Sequence, residues 1–264
     1  MKKQNEPPKS HHQVSIGYQS KFTDIDRLLW IFDKDQNIYD KRSPIVTAVE
    51  NGYYSFIEKD GTTNTDIETK ILKPVDAKIP SIIDKIENQQ ILNKIEHEDL
   101  AEFVALQRLR VPDFESKLQI NIEGFKKEDR LDFMKHAKEL LEYFLSVDWM
   151  IVTARQGSSF ILSDNPFCPC HPDAFNGKEL MIDTPGVESF IPLSKKTCLV
   201  FGNKGNHIIY KKNLDKVYIR QINIFTALNS KRYIMSHDKS LLENIVKKSQ
   251  MDKGYKKEYN LIKS

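Results

Sequence analysis

The N-terminal part of the chain carries apolar runs that are typical of short strands. Residues 28–32 are continuously apolar and are followed by the polar, turn-prone residues 33–37, a pattern that predicts a buried strand. Residues 45–57 form a second β-type region, interrupted by Asn51-Gly52, the pair most typical of a type I′ hairpin turn. Residues 1–10 offer no apolar anchor, so we expect a flexible arm there.

The middle of the chain has a helical period. Residues 66–87 place apolar side chains three and four positions apart, while Pro74 and Pro80 predict a kink or a break. Residues 96–110 and residues 128–147 repeat the period. These stretches are expected to pack together as a helical layer.

Strand patterns return after residue 148. Residues 149–154 and 159–163 flank a turn and predict a hairpin. Further strands are expected at 189–193, 197–202, 207–210 and 232–235, helices at 214–229 and 240–248, and a long loop at 164–187. The predicted fold class is α+β, a mostly antiparallel sheet with a helical layer inserted between its N- and C-terminal strands. One domain is expected over residues 11–250, followed by a basic tail at 251–264.

Composition narrows the function classes without choosing one. The 264 residues are 39% hydrophobic, which excludes a fibrous or wholly disordered chain. The net charge of +3 is too small to indicate a nucleic-acid scaffold. From Lys231 onward nine basic residues face four acidic ones, a surplus of +5, which fits either a phosphate contact or a solvated tail.

The compartment is predicted from cysteine usage and from the lengths of the apolar runs. Three cysteines are too few and odd in number for a secreted disulfide scaffold. The first residues lack the apolar core of a signal peptide, and no run approaches the roughly 18 apolar residues of a membrane span. A cytoplasmic protein without membrane contact is therefore expected, while the oligomeric state is not predicted.

Two adjacent histidines, His11 and His12, precede an amphipathic segment. Histidine titrates near neutrality and is a common metal ligand. Adjacent residues of a strand point to opposite faces, so only one of the pair would serve a given site. The alternative is an exposed pair that caps the end of the chain.

The predicted helices carry further candidates. Glu68 and Asp76 are eight residues apart, just over two helical turns, so both carboxylates can share one stripe and hold a divalent cation or perform acid–base work. A solvated acidic face is the alternative. Gln107 and Arg110 lie on adjacent turns of one face. Arg110 is expected either to bind a phosphate or to pair with Glu68 or Asp76, because an unpaired buried charge is unfavourable.

The segment Ser163, Asp164 and Asn165 directly follows an apolar strand. An aspartate there can reach the rim of a site, or can accept local backbone N–H groups in an Asx-turn. The chain lacks GxxxxGK[ST], GxGxxG, GxSxG and HExxH. P-loop nucleotide hydrolysis, Rossmann dehydrogenation and α/β-hydrolase chemistry are therefore disfavoured.

In their order and spacing, several short segments resemble the domain of unknown function 4238 family of bacteria and fungi. Two positions depart from the family pattern: Ser15 stands where a proline is usual, and Asp76 lies one residue later than the family's second acid. The resemblance implies a shared fold and a shared polar set but no established reaction. The matching segments are His11-His12-Gln13-Val14 through Phe22, Glu68 in 66–68, 103–107 with Arg110 and Pro112, 160–166, and 191–194.

Because the family pattern consists of polar as well as core residues, the resemblance favours an active site. If the polar residues converge, the expected function is a metal-dependent nuclease or phosphodiesterase, such as a toxin or defence effector. Glu68 and Asp76 would hold Mg²⁺ or Mn²⁺, and Arg110 would stabilise the phosphorane. His11 or His12 would transfer a proton, and Asp164 would join them, with Gln107, Ser163 and Asn165 nearby. The expected partner is a nucleic acid or a nucleotide.

Two alternatives remain open at the level of sequence. One is a non-catalytic binding or interaction module in which the same residues form a buried polar network. The other is a metal-independent transferase or hydrolase that uses histidine and arginine on a nucleotide-like ligand.

Overall fold

The computed structural model describes residues 10–110, 129, 134, 137–170, 188–205 and 207–251. It shows an α+β fold with mostly antiparallel sheets, which confirms the predicted class. The strands are β1 (Ser10–His12), β2 (Leu29–Asp33), β3 (Ile38–Arg42), β4 (Val49–Asn51), β5 (Phe56–Ile57), β6 (Thr63–Asn64), β7 (Val147–Ala154), β8 (Leu162–Ser163), β9 (Cys168–Cys170), β10 (Glu188–Pro192), β11 (Thr197–Lys204), β12 (Ile208–Leu214) and β13 (Tyr233–Ser236). The helices are α1 (Ile16–Gln19), a π-helical turn (Ile67–Leu72), α2 (Lys73–Asp76), α3 (Ile79–Glu87), α4 (Lys94–Leu109), α5 (Ala137–Leu145), α6 (Lys216–Asn229) and α7 (Lys239–Met251), with short 3₁₀ turns at Ser20–Phe22 and Pro44–Val46.

Within the described residues the strands form two principal sheets, where the pattern predicts one. One sheet has the order β3-β2-β13-β8 and the other the order β12-β7-β11-β10-β9. β2 pairs antiparallel with β13, from the far end of the chain. Among the described strands, only β7 and β12 pair in parallel. Whether the helices form a layer inserted in one sheet stays a prediction.

Both hairpins predicted from local patterns are wrong. β4 pairs with β1, not across Asn51-Gly52, and Gly52 alone of that pair has a positive φ, of 65°. A type I′ turn needs a positive φ at both central residues. The second error concerns β7 and β8, which belong to different sheets although a turn at Gly157 (φ 75°) separates them.

The helical region 66–87 is split, as its prolines predict. Pro74 and Pro80 lie in the first turns of α2 and α3, where the missing N–H of proline is tolerated. The helix α4 starts with a capping box between Asn93 and Glu96 and reaches its C-cap at Arg110. Of the predicted helix at 128–147, the described part is helical over Ala137–Leu145.

Two hydrophobic cores hold these elements together. The larger core joins α1, α3 and α4 to the five-stranded sheet through side chains such as Tyr18, Phe103 and Trp149. The smaller core packs β2 and β13 against α6 and α7 through Phe32, Ile234 and the residues that accompany them. In the part of the chain described here, no helix has the length and apolarity needed to cross a bilayer. The predicted arm and tail lie outside the described residues except for Ser10 and Met251.

Candidate active site

A fully buried arginine lies at the centre of the polar cluster. Arg110 caps α4, and its side chain is 1% exposed. Its Nη1 and Nη2 donate to Oδ2 and Oδ1 of Asp76 at 2.8 and 2.7 Å, and its Nε donates to Oε1 of Gln107 at 2.9 Å. Burial alone would lower the pKa of Arg110, but Asp76 outweighs it and raises that pKa above its usual value. The guanidinium is thus a fixed charge held by a bidentate partner.

Gln107 links this ion pair to the N-terminal strand. Its Nε2 donates to the carbonyl of Gln13 at 3.2 Å, and the Gln13 amide donates in turn to Glu50 at 3.1 Å. Tyr54 also belongs to the network, because its hydroxyl donates to the Arg110 carbonyl at 3.1 Å. β1 is therefore fastened to the C-terminal end of α4.

The two histidines occupy opposite sides of β1. His11 is buried, and its Nδ1 accepts the backbone N–H of Tyr54 at 2.7 Å. Its ring stacks on the Tyr54 ring with centroids 5.5 Å apart, and its Nε2 lies 3.3 Å from the Ser55 hydroxyl. The structure thus gives His11 a packing role where the sequence suggests proton transfer.

His12 points the other way and is half-buried. Its Nε2 lies 3.0 Å from the carbonyl of Ile45. Because a carbonyl oxygen only accepts, Nε2 carries the proton and Nδ1 keeps the lone pair in the neutral ring. Burial lowers the pKa of His12 below 6.5 against the opposing effect of the Ile45 and Pro44 carbonyls, and the charge of Arg110 lowers it further.

Glu68 is the second half-buried titratable group of the cluster. It lies in the π-helical turn, a rare conformation that occurs frequently at functional sites. Burial raises the pKa of Glu68 above 4.5, Arg110 opposes the rise, and Asp76 adds to it. Across the part of the chain that the structure describes, the Glu68 carboxylate makes no hydrogen bond or ion pair, whereas the backbone carbonyl of Glu68 accepts the N–H of Lys73. The charges of Arg110 and Asp76 therefore act on both Glu68 and His12.

The described contacts of Asp164 are with the backbone at the start of β13. The residue is 1% exposed, and its carboxylate accepts the backbone N–H groups of residues 231–233 at 2.7–2.9 Å. Burial raises the pKa of Asp164, and the three N–H donors and Lys34 oppose the rise. These contacts anchor the start of β13, and none of them involves Arg110, Glu68 or His12, so the role of Asp164 in the site stays a prediction.

Ser163 and Asn165 also make hydrogen bonds that hold the end of β8 in place. The Ser163 hydroxyl accepts the backbone N–H of Asn165 at 3.3 Å. Asn165 and Asn229 exchange side-chain hydrogen bonds with each other's carbonyls at 3.1 and 2.9 Å. These contacts fasten the end of β8 to the end of α6.

The two predicted metal ligands, Asp76 and Glu68, differ in the contacts that their carboxylates make. Both carboxylate oxygens of Asp76 already accept from Arg110, whereas Glu68 is open toward solvent on one side. Among the residues described, no group of three or more His, Cys, Asp or Glu side chains is arranged to hold a metal ion.

Sequence reasoning missed three members of the network, Gln13, Glu50 and Tyr54. Tyr54 reads as an ordinary apolar strand residue, and no local signal connects it with Arg110. Gln13 lies within the His11–Val14 segment that resembles the family, which is the one available signal.

The comparisons with known proteins give a family and no reaction. The model of the family described as "Protein of unknown function (DUF4238)" matches residues 10–240. The match includes every described member of the Arg110 network. No curated protein and no solved structure matches the chain.

Proposed function

The chain belongs to the DUF4238 family, and from the geometry around Arg110 we propose that it is a hydrolase of phosphodiesters in which Glu68 and His12 transfer protons. The observation that carries the proposal is the placement of these two half-buried groups in the field of one buried ion pair, Arg110–Asp76. Perturbed titratable groups that surround a fixed charge are typical of catalytic sites.

The two pKa shifts suit acid–base chemistry. The pKa of His12 is lowered from 6.5 and that of Glu68 is raised from 4.5, so the two values approach each other. The proposed chemistry uses the ionised form of Glu68 and the protonated form of His12. Glu68 then accepts a proton from the attacking water while the water oxygen bonds to phosphorus. His12 donates a proton through Nδ1 to the leaving oxygen as the phosphorus–oxygen bond breaks.

Arg110 supports this chemistry through its field. Its guanidinium is buried and occupied by Asp76 and Gln107, so it fixes the charge environment of the reacting groups without touching the substrate. Gln107 and Asp76 are positioning residues in this proposal.

A divalent cation, Mg²⁺ or Mn²⁺, stays part of the proposal. Magnesium is commonly bound by one or two carboxylates together with substrate phosphates and water. Glu68 supplies such a carboxylate, and Asp76 has a remaining lone pair on each oxygen. A nucleic acid or nucleotide substrate and a cytoplasmic toxin or defence role complete the proposal. The buried free thiols of Cys168 and Cys198 support only the cytoplasmic location, because disulfides are rare in a reducing compartment.

The experiment measures hydrolysis of bis(p-nitrophenyl) phosphate, single-stranded DNA and RNA by the purified full chain, with Mg²⁺, with Mn²⁺ and with a chelator. His12→Ala and Glu68→Gln are each expected to lower the rate about 100-fold or more, because acid–base groups contribute on that scale. The matched controls are His207→Ala, an exposed histidine, and Asp66→Asn, which pairs with Lys70 at the surface. Both controls are expected to keep wild-type rates, and circular dichroism verifies that all four variants fold.

A second candidate function is a non-catalytic interaction module. It is favoured by the complete burial of Arg110, His11 and Gln107 inside hydrogen-bonded networks, an arrangement that also stabilises a fold. Absence of hydrolysis with all three substrates and under all three metal conditions selects this candidate over the hydrolase.

A further inference from the structure

A cleft of about 380 Å³ lies between α6, α7 and the turn at Gly157. It shares no residue with the Arg110 cluster. Its volume falls in the range of roughly 300–1,000 Å³ in which small-molecule sites occur. Three cations line it: Lys216 and Arg220 from α6, and Lys248 from α7.

All charged side chains in the lining of the cleft are positive. No Asp or Glu belongs to its lining. Lys216 and Arg220 are four residues apart on one helix, where like charges repel. None of the three cations makes an ion pair within the described chain, although Lys239 on the same α7 helix pairs with Glu243. The cleft therefore concentrates positive charge that an anion would neutralise.

The rest of the lining suits an organic molecule. Ile219 and Ile245 are buried side chains that form an apolar floor. Ser158, Ser240 and Asn244 add neutral hydrogen-bonding groups at the rim.

The wall formed by the turn is held in place. Buried Asn223 accepts the backbone N–H of Ile161 at 3.1 Å and donates to the carbonyl of Ser159 at 2.8 Å. Gly157 adopts a positive φ, of 75°, that residues other than glycine rarely take. A rim fixed in this way loses little entropy when a ligand binds.

We propose that this cleft binds a small organic phosphate of nucleotide size, with its phosphates on Lys216, Arg220 and Lys248 and its ring on the apolar floor. Arginine and lysine are the usual partners of phosphate oxygens. A nucleic-acid strand is a less good fit, because the apolar floor and the volume suit one nucleotide unit.

The test is isothermal titration of the full chain with ADP in the absence of divalent metal, with adenosine and inorganic phosphate as comparison ligands. ADP is expected to bind, adenosine to give no heat, and inorganic phosphate to bind more weakly than ADP. Arg220→Ala and Lys248→Ala should each weaken ADP binding about tenfold, the scale of one charge-assisted hydrogen bond. Lys247→Ala, an exposed neighbour on α7 outside the lining, should leave the affinity unchanged.

Several results would overturn the proposal. These are no ADP binding at millimolar concentration, equal affinity for inorganic phosphate and ADP, or equal ADP affinity in Arg220→Ala, Lys248→Ala and the wild type. Binding of single-stranded RNA without binding of ADP would also overturn it in favour of a nucleic-acid surface. His12→Ala is expected to bind ADP normally, so the outcome is independent of the proposed hydrolase activity.

Discussion

Replacing Asp76 with asparagine removes the counter-charge of a buried guanidinium while keeping the size of the side chain. Arg110 is 1% exposed at its side chain, whereas Asp76 is 20% exposed. The variant therefore leaves an uncompensated charge on the more deeply buried partner. The remaining contacts of the guanidinium, with the Gln107 amide and the Phe103 ring, are with neutral groups.

The expected loss of stability follows from this asymmetry. Removing one partner of a buried pair costs about 3–5 kcal/mol, and the partial exposure of Asp76 favours the lower limit, about 3 kcal/mol. Arg110→Met leaves a carboxylate that water can reach, so about 2 kcal/mol is expected for that change. For a domain of this size, about 3 kcal/mol corresponds to a fall of roughly 6–12 °C in Tm.

Urea unfolding followed by the fluorescence of buried Trp149 measures both variants. Asp66→Asn is the matched control, because its partner Lys70 is 71% exposed and such surface pairs contribute at most about 1 kcal/mol. A loss within about 1 kcal/mol for Asp76→Asn, or a larger loss for Arg110→Met than for Asp76→Asn, would refute the reasoning.

Three further predictions concern titration and anchoring. The rate of hydrolysis is expected to follow a bell-shaped pH profile. Its acid limb should lie above pH 4.5 and its basic limb below pH 6.5, the ordinary pKa values of Glu68 and His12. A limb outside this window contradicts the assignment. Because burial raises the folded-state pKa of Glu68, its contribution to stability is present below 4.5 and is lost as pH rises through the folded pKa. Glu68→Gln should thus be more stable than wild type at pH 7 but not at pH 4, as urea unfolding at the two pH values checks. Asp164→Ala removes the acceptor of three backbone N–H groups, so the free energy of unfolding should fall by about 3 kcal/mol. The hydrolysis rate per folded molecule should stay unchanged. A loss of that rate without a loss of folding would place Asp164 in the site.

The local part of the fold is predictable from sequence, and the long-range part is not. The periodicity of α4 and the prolines of α2 and α3 act within a few residues, so their helices are predicted close to the observed bounds. The pairing of β2 with β13 joins segments at opposite ends of the chain, and nothing in either segment encodes its partner. The same limit applies to the site. A buried arginine must find an acid, but only the structure chooses Asp76 over Glu68. The contacts of Asp164 are not predictable in this way, because its partners are backbone N–H groups, which have no signature in side-chain patterns.

The burial of Arg110 also determines how its proposed role can be tested. A substrate phosphate on this guanidinium would have to displace Asp76 and leave that carboxylate unpaired, so Arg110 is expected to act at a distance. Its charge lowers the pKa of both His12 and Glu68. In Arg110→Met both limbs of the pH profile should therefore move to higher pH, and the unpaired Asp76 adds to the shift in the same direction. Arg110→Lys keeps the charge and should move the limbs less. If Arg110 instead held the substrate, its loss would lower the rate at every pH with the limbs in place, and the pH profiles of the two variants separate these mechanisms.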